Sequence, residues 1–594
     1  MQKILTSVIL LTALNTNAAL GPIPIYLNTE YRTDSPVIGS IASTLKFDAD
    51  DIKASGASTF LDFLATVPSV GLVNPQGNVP AVFLRGANPE HTLVLVDGVS
   101  INDISSPSGA VAYGLTNIAL NDIEKIEIIK GSGSVLYGSS AIAGVISITT
   151  KKGADGENAT ISTKFGTHNA RTYALSASSG NKDGFIRFTQ NKYTTNGIDA
   201  QTADDGDEKD GIDNQTTQIK VGNKHFDIGF LKSNTKTEYD TYGTSSGTNP
   251  AGLIDNNLTK ISLNTNQQFS DTWHTKLSFA QTKSSRNTGA NAATIGDKYK
   301  STNVTILNDV KIDNALLNIG LSQIDDENTT GNQKLSNKNL FLNWQKNFGS
   351  IDINAGTRYI KHNKFGRKTI YSLGLSKYLK NSIKLTSSYG TAFNAPTLDR
   401  IFGFGANPEL KPETSKNFEF GIEKTHNWGA SSIKVYQNKI KNRFTYNDNG
   451  TPVDYSDDIY LNEDKLISKG VELSVNANIT GYNIGFSHNY NDSKINDSTT
   501  QSVRRPKNTS NLTVSKQYAK FNSRMQVIKK SSSLDVGNVE LNGYTLVNLS
   551  TAYDFNDNTN ISLNINNAFD KDYTVVDGYN QLGRTVTVGL DYNF

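Results

Sequence analysis

Cysteine is absent from this 594-residue chain. That excludes a disulfide scaffold, a Cys-ligated zinc or iron–sulfur site and a Cys nucleophile together, while leaving the compartment open. Proline (14) and methionine (2) are scarce, and the weight falls on Asn, Ser, Thr, Gly and Tyr, a composition unlike that of helical cores. A surplus of charge is also missing: 58 Lys+Arg stand against 56 Asp+Glu, net +2. Without a basic excess to displace counterions from phosphates, nucleic acid is excluded as the default partner. No stretch approaches the ~20 apolar residues of a transmembrane helix.

What is present begins at the two ends. Residues 1–19 carry Lys3, an apolar run from Leu5 to Leu14 and small residues at Ala18 and Ala19, the three regions of a secretory signal peptide cleaved near Ala18/Ala19. The mature chain is therefore expected to leave the cytoplasm. At the other end Val586, Val588, Leu590, Tyr592 and Phe594 alternate with Thr585, Thr587, Gly589, Asp591 and Asn593, so all five apolar residues share one face of a strand. Ending on Tyr592 and Phe594 resembles the terminal strand by which outer-membrane barrels are recognised by their assembly machinery. A free edge there would invite aggregation; closure into a barrel pairs it.

From about residue 153 onward, segments of ~10 residues alternate in apolarity, as in Val471, Leu473, Val475, Ala477 and Ile479 against Glu472, Ser474, Asn476 and Asn478. One face suits lipid and the other water. There are 22 candidate strands, beginning near 158, 170, 183, 214, 224, 257, 272, 299, 313, 334, 350, 367, 382, 415, 430, 466, 480, 505, 519, 541, 558 and 582. Long polar connections are expected after the third, fifth, seventh, ninth, thirteenth, fifteenth and seventeenth strands, including 194–213, 235–256, 285–298, 394–414, 445–465 and 492–504. After even strands only a few residues follow, around Asn223, Ser270, Gly349 and Asn381. This asymmetry is that of an outer-membrane barrel, and polar residues lining a wet interior account for the mean hydropathy of −0.42.

Residues 36–152 read differently. Asp51 to Pro68 has helical spacing through Phe60, Leu61 and Leu64 and is stopped by Pro68. Near-continuous apolar runs at 92–96, 123–129 and 144–149 predict strands buried on both faces of a small mixed sheet. Such an α+β domain ahead of a 22-stranded barrel can sit inside it as a plug. The expected division is a signal peptide (1–19), an N-terminal tail (20–35), a plug (36–152) and an all-β, antiparallel transmembrane barrel (153–594). Gly131-Ser-Gly133-Ser-Val-Leu-Tyr137-Gly138 has Leu136 where a dinucleotide fingerprint needs glycine and lacks a P-loop Lys-Ser/Thr, so it is a tight turn of the plug. The seven histidines (91, 168, 225, 274, 362, 426, 488) show no metal spacing and read as surface or strand residues; no GxSxG elbow is present, and no catalytic residue or catalytic cofactor is expected.

FLRGANPEHTLVLVDGV (83–99) and IEIIKGSGSVLYGSSAIAGVISITTKK (126–152) resemble the two plug signatures of the TonB-dependent outer-membrane transporters. SYGTAFNAPTLDRIFGFGANPELKPETSKNFEFGIE (388–423), SKGVELSVNA (468–477) and NNAFDKDYTVVDGYNQLGR (566–584) continue the similarity, which is strongest to the cobalamin (vitamin B12) receptors. The resemblance implies a monomer in the outer membrane of a Gram-negative bacterium, in contact with outer-membrane lipid and driven by TonB and its inner-membrane energising complex. A siderophore, haem or another metal chelate is the alternative ligand, and a passive porin the rival machine.

Family likeness also suggests site residues. Ile25, Tyr26, Leu27, Asn28 and Thr29 are the candidate TonB box, where strand addition would give affinity through backbone hydrogen bonds. Cobalamin-contacting positions fall near Val79, Asn88, Ser108 and Gly109, with Arg504 or Arg505 from the barrel side; Pro80 and Ala81 stand where the family more often has small hydroxyl residues. The stretch 197–213 packs Asp199, Asp204, Asp205, Asp207, Glu208, Asp210 and Asp213 together, a density of like charge relieved by solvent or by a hard cation with oxygen ligands. In the cobalamin receptors this loop and the next bind calcium; the matching residues are Asp199, Asp205 or Asp210, then Tyr239, Asp240 and Asp255.

Overall fold

The computed structural model describes residues 30–33, 36–74, 78–104, 106, 118–153, 155–202, 209–240, 252–289, 292, 294, 296, 298–450, 456–496 and 498–594. The signal peptide, the candidate TonB box (25–29), Ser108, Gly109 and Asp205 lie outside them. Twenty-two antiparallel strands close into a barrel, from Gly156–Gly166 to Thr585–Asn593. The closing seam pairs Thr587–Asn593 with Thr160–Gly166, so the alternating C-terminal segment has a neighbour on both edges. No helix among the described residues is long and apolar enough to cross a membrane.

Alternation does on each strand what the sequence predicts. Ile161, Phe165, Leu175, Ile186 and Leu590 face outward and are exposed, whereas Asn, Ser, Thr and Lys face the lumen and are buried. The inner wall is hydrogen-bonded to itself: Thr216 Oγ1 lies 3.0 Å from Ser233 Oγ, Asn214 donates to Thr235 at 2.6 Å, and Asn343 donates to Asn318 at 3.1 Å. Aromatic pairs mark the short-turn end, including Tyr592–Phe594 (4.8 Å between centroids), Phe269–Trp273 (4.9 Å) and Phe521–Tyr553 (4.6 Å).

Three expectations about the barrel need correction. The connection after the ninth barrel strand is short, 329–332, because the Asn328 side chain accepts from Thr330 and Gly331 N–H and Asn332 takes a left-handed φ of 55°. Long connections also follow the nineteenth and twenty-first strands, at 531–543 and 567–584. Two strands begin earlier than expected, Gly252–Ser270 and Ile459–Ile479, since 252–256 and 459–465 stay paired with their neighbours beyond the apolar band.

Inside the barrel, strands Ser43–Asp48, Ile123–Lys130, Gly144–Thr150, Thr92–Val96 and Val99–Ser100 form one mixed sheet in that order, with only Thr92–Val96 and Gly144–Thr150 parallel. The expected helix over 51–68 is two helices, α1 (Ala49–Ala54) and α2 (Phe60–Thr66). Gly56 breaks it with φ +72°, at a spot where a Cβ would strike Asn564, and Thr59 restarts it with a capping box to Asp62. Phe60, Phe63, Leu64, Ile126, Ile128 and Ile146 build the plug core, which Ala392, Ile440 and Leu466 of the barrel wall join. The glycine-rich stretch is a single helical turn, α3 (Ser134–Tyr137), flanked by Gly131 and Gly138 at positive φ.

Removing Thr585–Phe594 leaves two open edges in place of one seam. The expected outcome is loss of the compact, heat-modifiable band in semi-native electrophoresis, with the chain degraded rather than inserted; a normal band from the truncated chain would contradict closure at this seam.

Candidate functional site

A plug that fills a polar lumen must satisfy its own charges against the wall, and the sequence supplies them where two turns expose backbone. The strand Ala81–Leu84 ends in Arg85 (φ 51°) and Gly86 (φ 73°), where any Cβ on Gly86 would come within 2.3 Å of Asn491. This turn aims Arg85 at the wall. Its Nη2 lies 2.7 Å from Glu419 Oε2 and 2.8 Å from Glu472 Oε2, its Nε donates to Glu472 Oε1 at 3.1 Å, and its guanidinium stacks 4.3 Å over Tyr436. Lys130 Nζ adds a contact to Glu472 at 2.9 Å, and Ser43 one at 3.2 Å. Burial opposes the Arg85 charge, but Glu472 and Glu419 outweigh it and raise its pKa above the ordinary arginine range.

Toward the short-turn end, Asp97 at a tight turn (φ 52°) meets Lys220 Nζ at 3.0 Å and accepts from Thr150 N–H at 2.9 Å. Burial would raise its carboxyl, yet Lys220 and Lys260 bring it down to about 2. Asp122 meets Arg187 at 2.9 Å, but there burial outweighs the cation and holds the carboxyl above its ordinary value. At that mouth, Arg32 donates to the Leu136 carbonyl at 2.8 Å and Thr33 to Asp309 at 2.6 Å, which ties the chain just after the candidate TonB box to α3 and to the wall.

At the long-loop end, the plug turn Asn88–His91 meets the wall and the outer loops. The His91 ring accepts from the Asn88 N–H at Nδ1 (3.2 Å), so Nε2 is the donor to Glu413 Oε2 at 2.9 Å. Burial disfavours the imidazolium, but Glu413 and Glu90 outweigh it and hold the His91 pKa above its ordinary value. Glu90 faces Arg400 at 3.5 Å, and Arg400 stacks 4.4 Å over Phe444 in the loop wall. Glu90, His91 and Glu413 bring ligand atoms within 4.8 Å of one another. They are spent on one another and on the wall all the same: Glu413 accepts from His91, Asn394 and the Phe444 N–H, and Arg400 answers Glu90. His91 is thus neither a surface nor a strand residue, contrary to the sequence expectation; it is fully buried in the turn Pro89–His91.

The other candidates fall as follows. Val79 is buried beside the plug's outer face. Asn88 and Arg505 meet each other: Arg505 Nη2 donates to Asn88 Oδ1 at 2.5 Å, Nε to the Gly86 carbonyl at 2.7 Å and Nη1 to the Val503 carbonyl at 2.7 Å. Arg505 also stacks 4.6 Å over Phe83, so it braces the plug turn. Arg504 pairs with Asp535 at 2.6 Å, joining two outer loops. Asp210 of the acidic loop and Asp240 of the next are buried; Asp210 Oδ2 accepts from Ala200 N–H, and Asn78 of the plug donates to the carbonyls of both Asp210 (2.8 Å) and Glu238 (3.2 Å). The Asp199 carbonyl accepts from Asn580, Asp255 accepts from Asn257, and Tyr239 packs against Gly252 at the strand end. Among the described residues these carboxylates do not converge into a triad.

Sequence reasoning missed Arg85, Lys130, Glu472, Asp97, Glu90, Arg400 and Glu413. All seven lie inside the family-like motifs, but their partners are more than a hundred residues away, and no local pattern joins them.

Three comparisons fit this architecture. Residues 151–568 match the family model described as TonB dependent receptor-like, beta-barrel, and residues 36–145 match the TonB-dependent Receptor Plug Domain. A vitamin B12 transporter, BtuB, of Photobacterium profundum is 26% identical over 585 residues, covering 95% of each chain. Among solved structures, the siderophore receptor PirA from Acinetobacter baumannii superposes with a TM-score of 0.77 at 16% identity, covering 93% of this chain and 98% of that one. The ferric yersiniabactin uptake receptor FyuA from Yersinia pestis gives 0.75 at 14%, with the same coverage. At such identities the structures speak for the fold alone.

Truncating Glu472 to alanine leaves Arg85 and Lys130 buried without their shared carboxylate. The plug should lose roughly 3–5 kcal/mol of local stability. Hydrogen exchange at Ala81–Leu84 should then speed by about two to four decades with barrel amides unchanged; equal protection in both proteins would contradict the anchoring role.

Proposed function

We propose that this chain, which belongs to the family of TonB-dependent receptors, imports cobalamin across the outer membrane of a Gram-negative bacterium. Members of the family are transporters and not enzymes, and TonB is the partner that energises them. The cobalamin reading is carried by one observation, the likeness to a vitamin B12 transporter along 95% of both chains. A physical argument supports it. Anionic ferric chelates are held by open cations, but the arginines around the plug's outer loops are committed: Arg400 to Glu90, Arg443 to Glu463, Arg504 to Asp535, and Arg505 to Asn88 and backbone carbonyls. A neutral, polar, amide-rich ligand asks for hydrogen-bonding groups instead; the Asn78 and Asn88 amino groups are already bonded, but their side-chain oxygens and the loop carbonyls keep lone pairs that can accept.

In this reading the ligand rests on the plug between the long loops. Pull from TonB on Ile25–Thr29 then loads the adjoining contacts of Arg32 and Thr33 first. Work of that kind is required because a plugged lumen passes nothing by diffusion. Purified protein should bind labelled cyanocobalamin saturably, and deleting Ile25–Thr29 should abolish uptake while leaving binding intact. Absence of saturable binding removes cobalamin; uptake that survives the deletion makes the protein a passive porin.

Calcium belongs to the same proposal. The carboxylates of Asp199, Asp210 and Asp240 do not converge as they stand, but all are oxygen donors and Asp210 and Asp240 are buried, so a hard cation would have to draw them together. Bound there, calcium would neutralise the acidic loop and order it over the ligand. Chelation should weaken cobalamin binding at least fivefold, and Asp210→Asn with Asp240→Asn should make binding insensitive to calcium. Identical affinity with and without calcium in the unaltered protein would leave the loop merely solvated.

A further inference from the structure

We infer that the outer wall of the barrel holds one phospholipid of the inner leaflet in a notch over strands Tyr482–Ile495, Asn508–Tyr518, Phe521–Lys530, Tyr544–Asn556 and Thr559–Asn566, with its phosphate on Lys516. The inference rests on the membrane-spanning barrel and is independent of which ligand is imported.

Strand register builds the notch. Across the lipid-facing surface, one row runs Tyr482, Lys516, Ser523, Thr551, Leu563, each residue opposite the next. The row above it runs Ile484, Val514, Met525, Leu549, Ile565, and the row below contains Tyr518, Phe521, Tyr553 and Ile561. Side chains therefore go from large to small to large along the barrel axis. The two short hydroxyl residues leave a depression of about 420 Å³, with Met525 and Leu549 as its upper lip. The aromatic pair Phe521–Tyr553, at 4.6 Å, and the exposed Tyr518 stand in the row below it.

The chemistry of the notch is mixed in the manner of a lipid's own interface. Lys516 Nζ sits 3.9 Å over the Tyr482 ring, and among the described residues no carboxylate lies within ion-pair distance of it. Stacking holds the ammonium at the wall while leaving its protons for an anion. Beside it, Ser523 Oγ and Thr551 Oγ1 lie 3.0 Å apart, a hydroxyl pair set between the row of Val514, Met525 and Leu549 and the row of Phe521 and Tyr553. One mutual hydrogen bond leaves that pair with acceptor sites and one further donor, suited to a phosphate or ester oxygen. Val514, Met525, Leu549 and Leu563 then offer an apolar track for an acyl chain. The depth agrees: Lys516–Ser523 is two pairs above Tyr518–Phe521, which closes the hairpin at Ala519–Lys520, on the short-turn side of the barrel. That is the leaflet where a phosphodiester meets the aromatic girdle. Lys346 provides an internal control, since it faces lipid next to Phe348 (5.1 Å) in the same girdle but outside the notch.

The test is native mass spectrometry of the full protein in detergent, titrated with palmitoyl-oleoyl phosphatidylglycerol, phosphatidylethanolamine and, as a phosphate-free arm, diacylglycerol. The unaltered protein should keep one phospholipid at activation that strips the rest, with diacylglycerol not kept. Lys516→Gln should lower the retained fraction at least fivefold, and Ser523→Leu with Thr551→Leu, which fills the notch, should abolish it. Lys346→Gln should change nothing, and heat modifiability checks that each variant is folded. Equal retention by all variants, or retention of diacylglycerol, would reduce the lipid to unspecific boundary lipid and overturn the site.

Discussion

A polypeptide that crosses hydrocarbon has nowhere to hide an unpaired amide, so a sheet in that medium must meet itself. Everything else in this molecule follows from that obligation. Meeting at the seam between Thr160–Gly166 and Thr587–Asn593 fixes an even number of strands and returns both ends of the barrel to one side. With 22 strands the ring is too wide for its own side chains to fill, and a folded domain occupies the space.

How that domain is held matters for what it can do. Its core is apolar, but its contact with the wall is largely ionic and hydrogen-bonded: Arg85 and Lys130 on Glu472, Asp97 on Lys220, Asp122 on Arg187, His91 on Glu413. An interface of this kind is specific in geometry, because each charge is stranded unless its partner is present. It is also one whose groups can be rehydrated once water enters, unlike an interdigitated apolar core. A plug that must stay shut at rest and yield to force is well served by that combination.

The alternation of residues is readable along the chain because membrane and lumen impose opposite demands every second position. Strand starts such as 183 and 184, or 382 and 383, agree for that reason. Where the demand lapses, so does the signal. Beyond the apolar band, 252–256 and 459–465 are paired strand that no pattern of apolarity marks. The spacing of Phe60, Leu61 and Leu64 predicts one helix over 51–68 where there are two, because it is blind to a wall residue such as Asn564 that presses Gly56 into its turn.

Local chemistry therefore settled the strand periodicity, the aromatic C-terminus, the buried plug strands and the glycine-bounded turn at α3, since each depends on residues within a few positions of one another. Tertiary structure alone decided which charges meet. Glu472 and Arg85 are 387 residues apart, and His91 and Glu413 are 322 apart. Nothing in either neighbourhood specifies the other, because ion pairs are matched by the space between plug and wall, a distance that exists only after the sheet has closed.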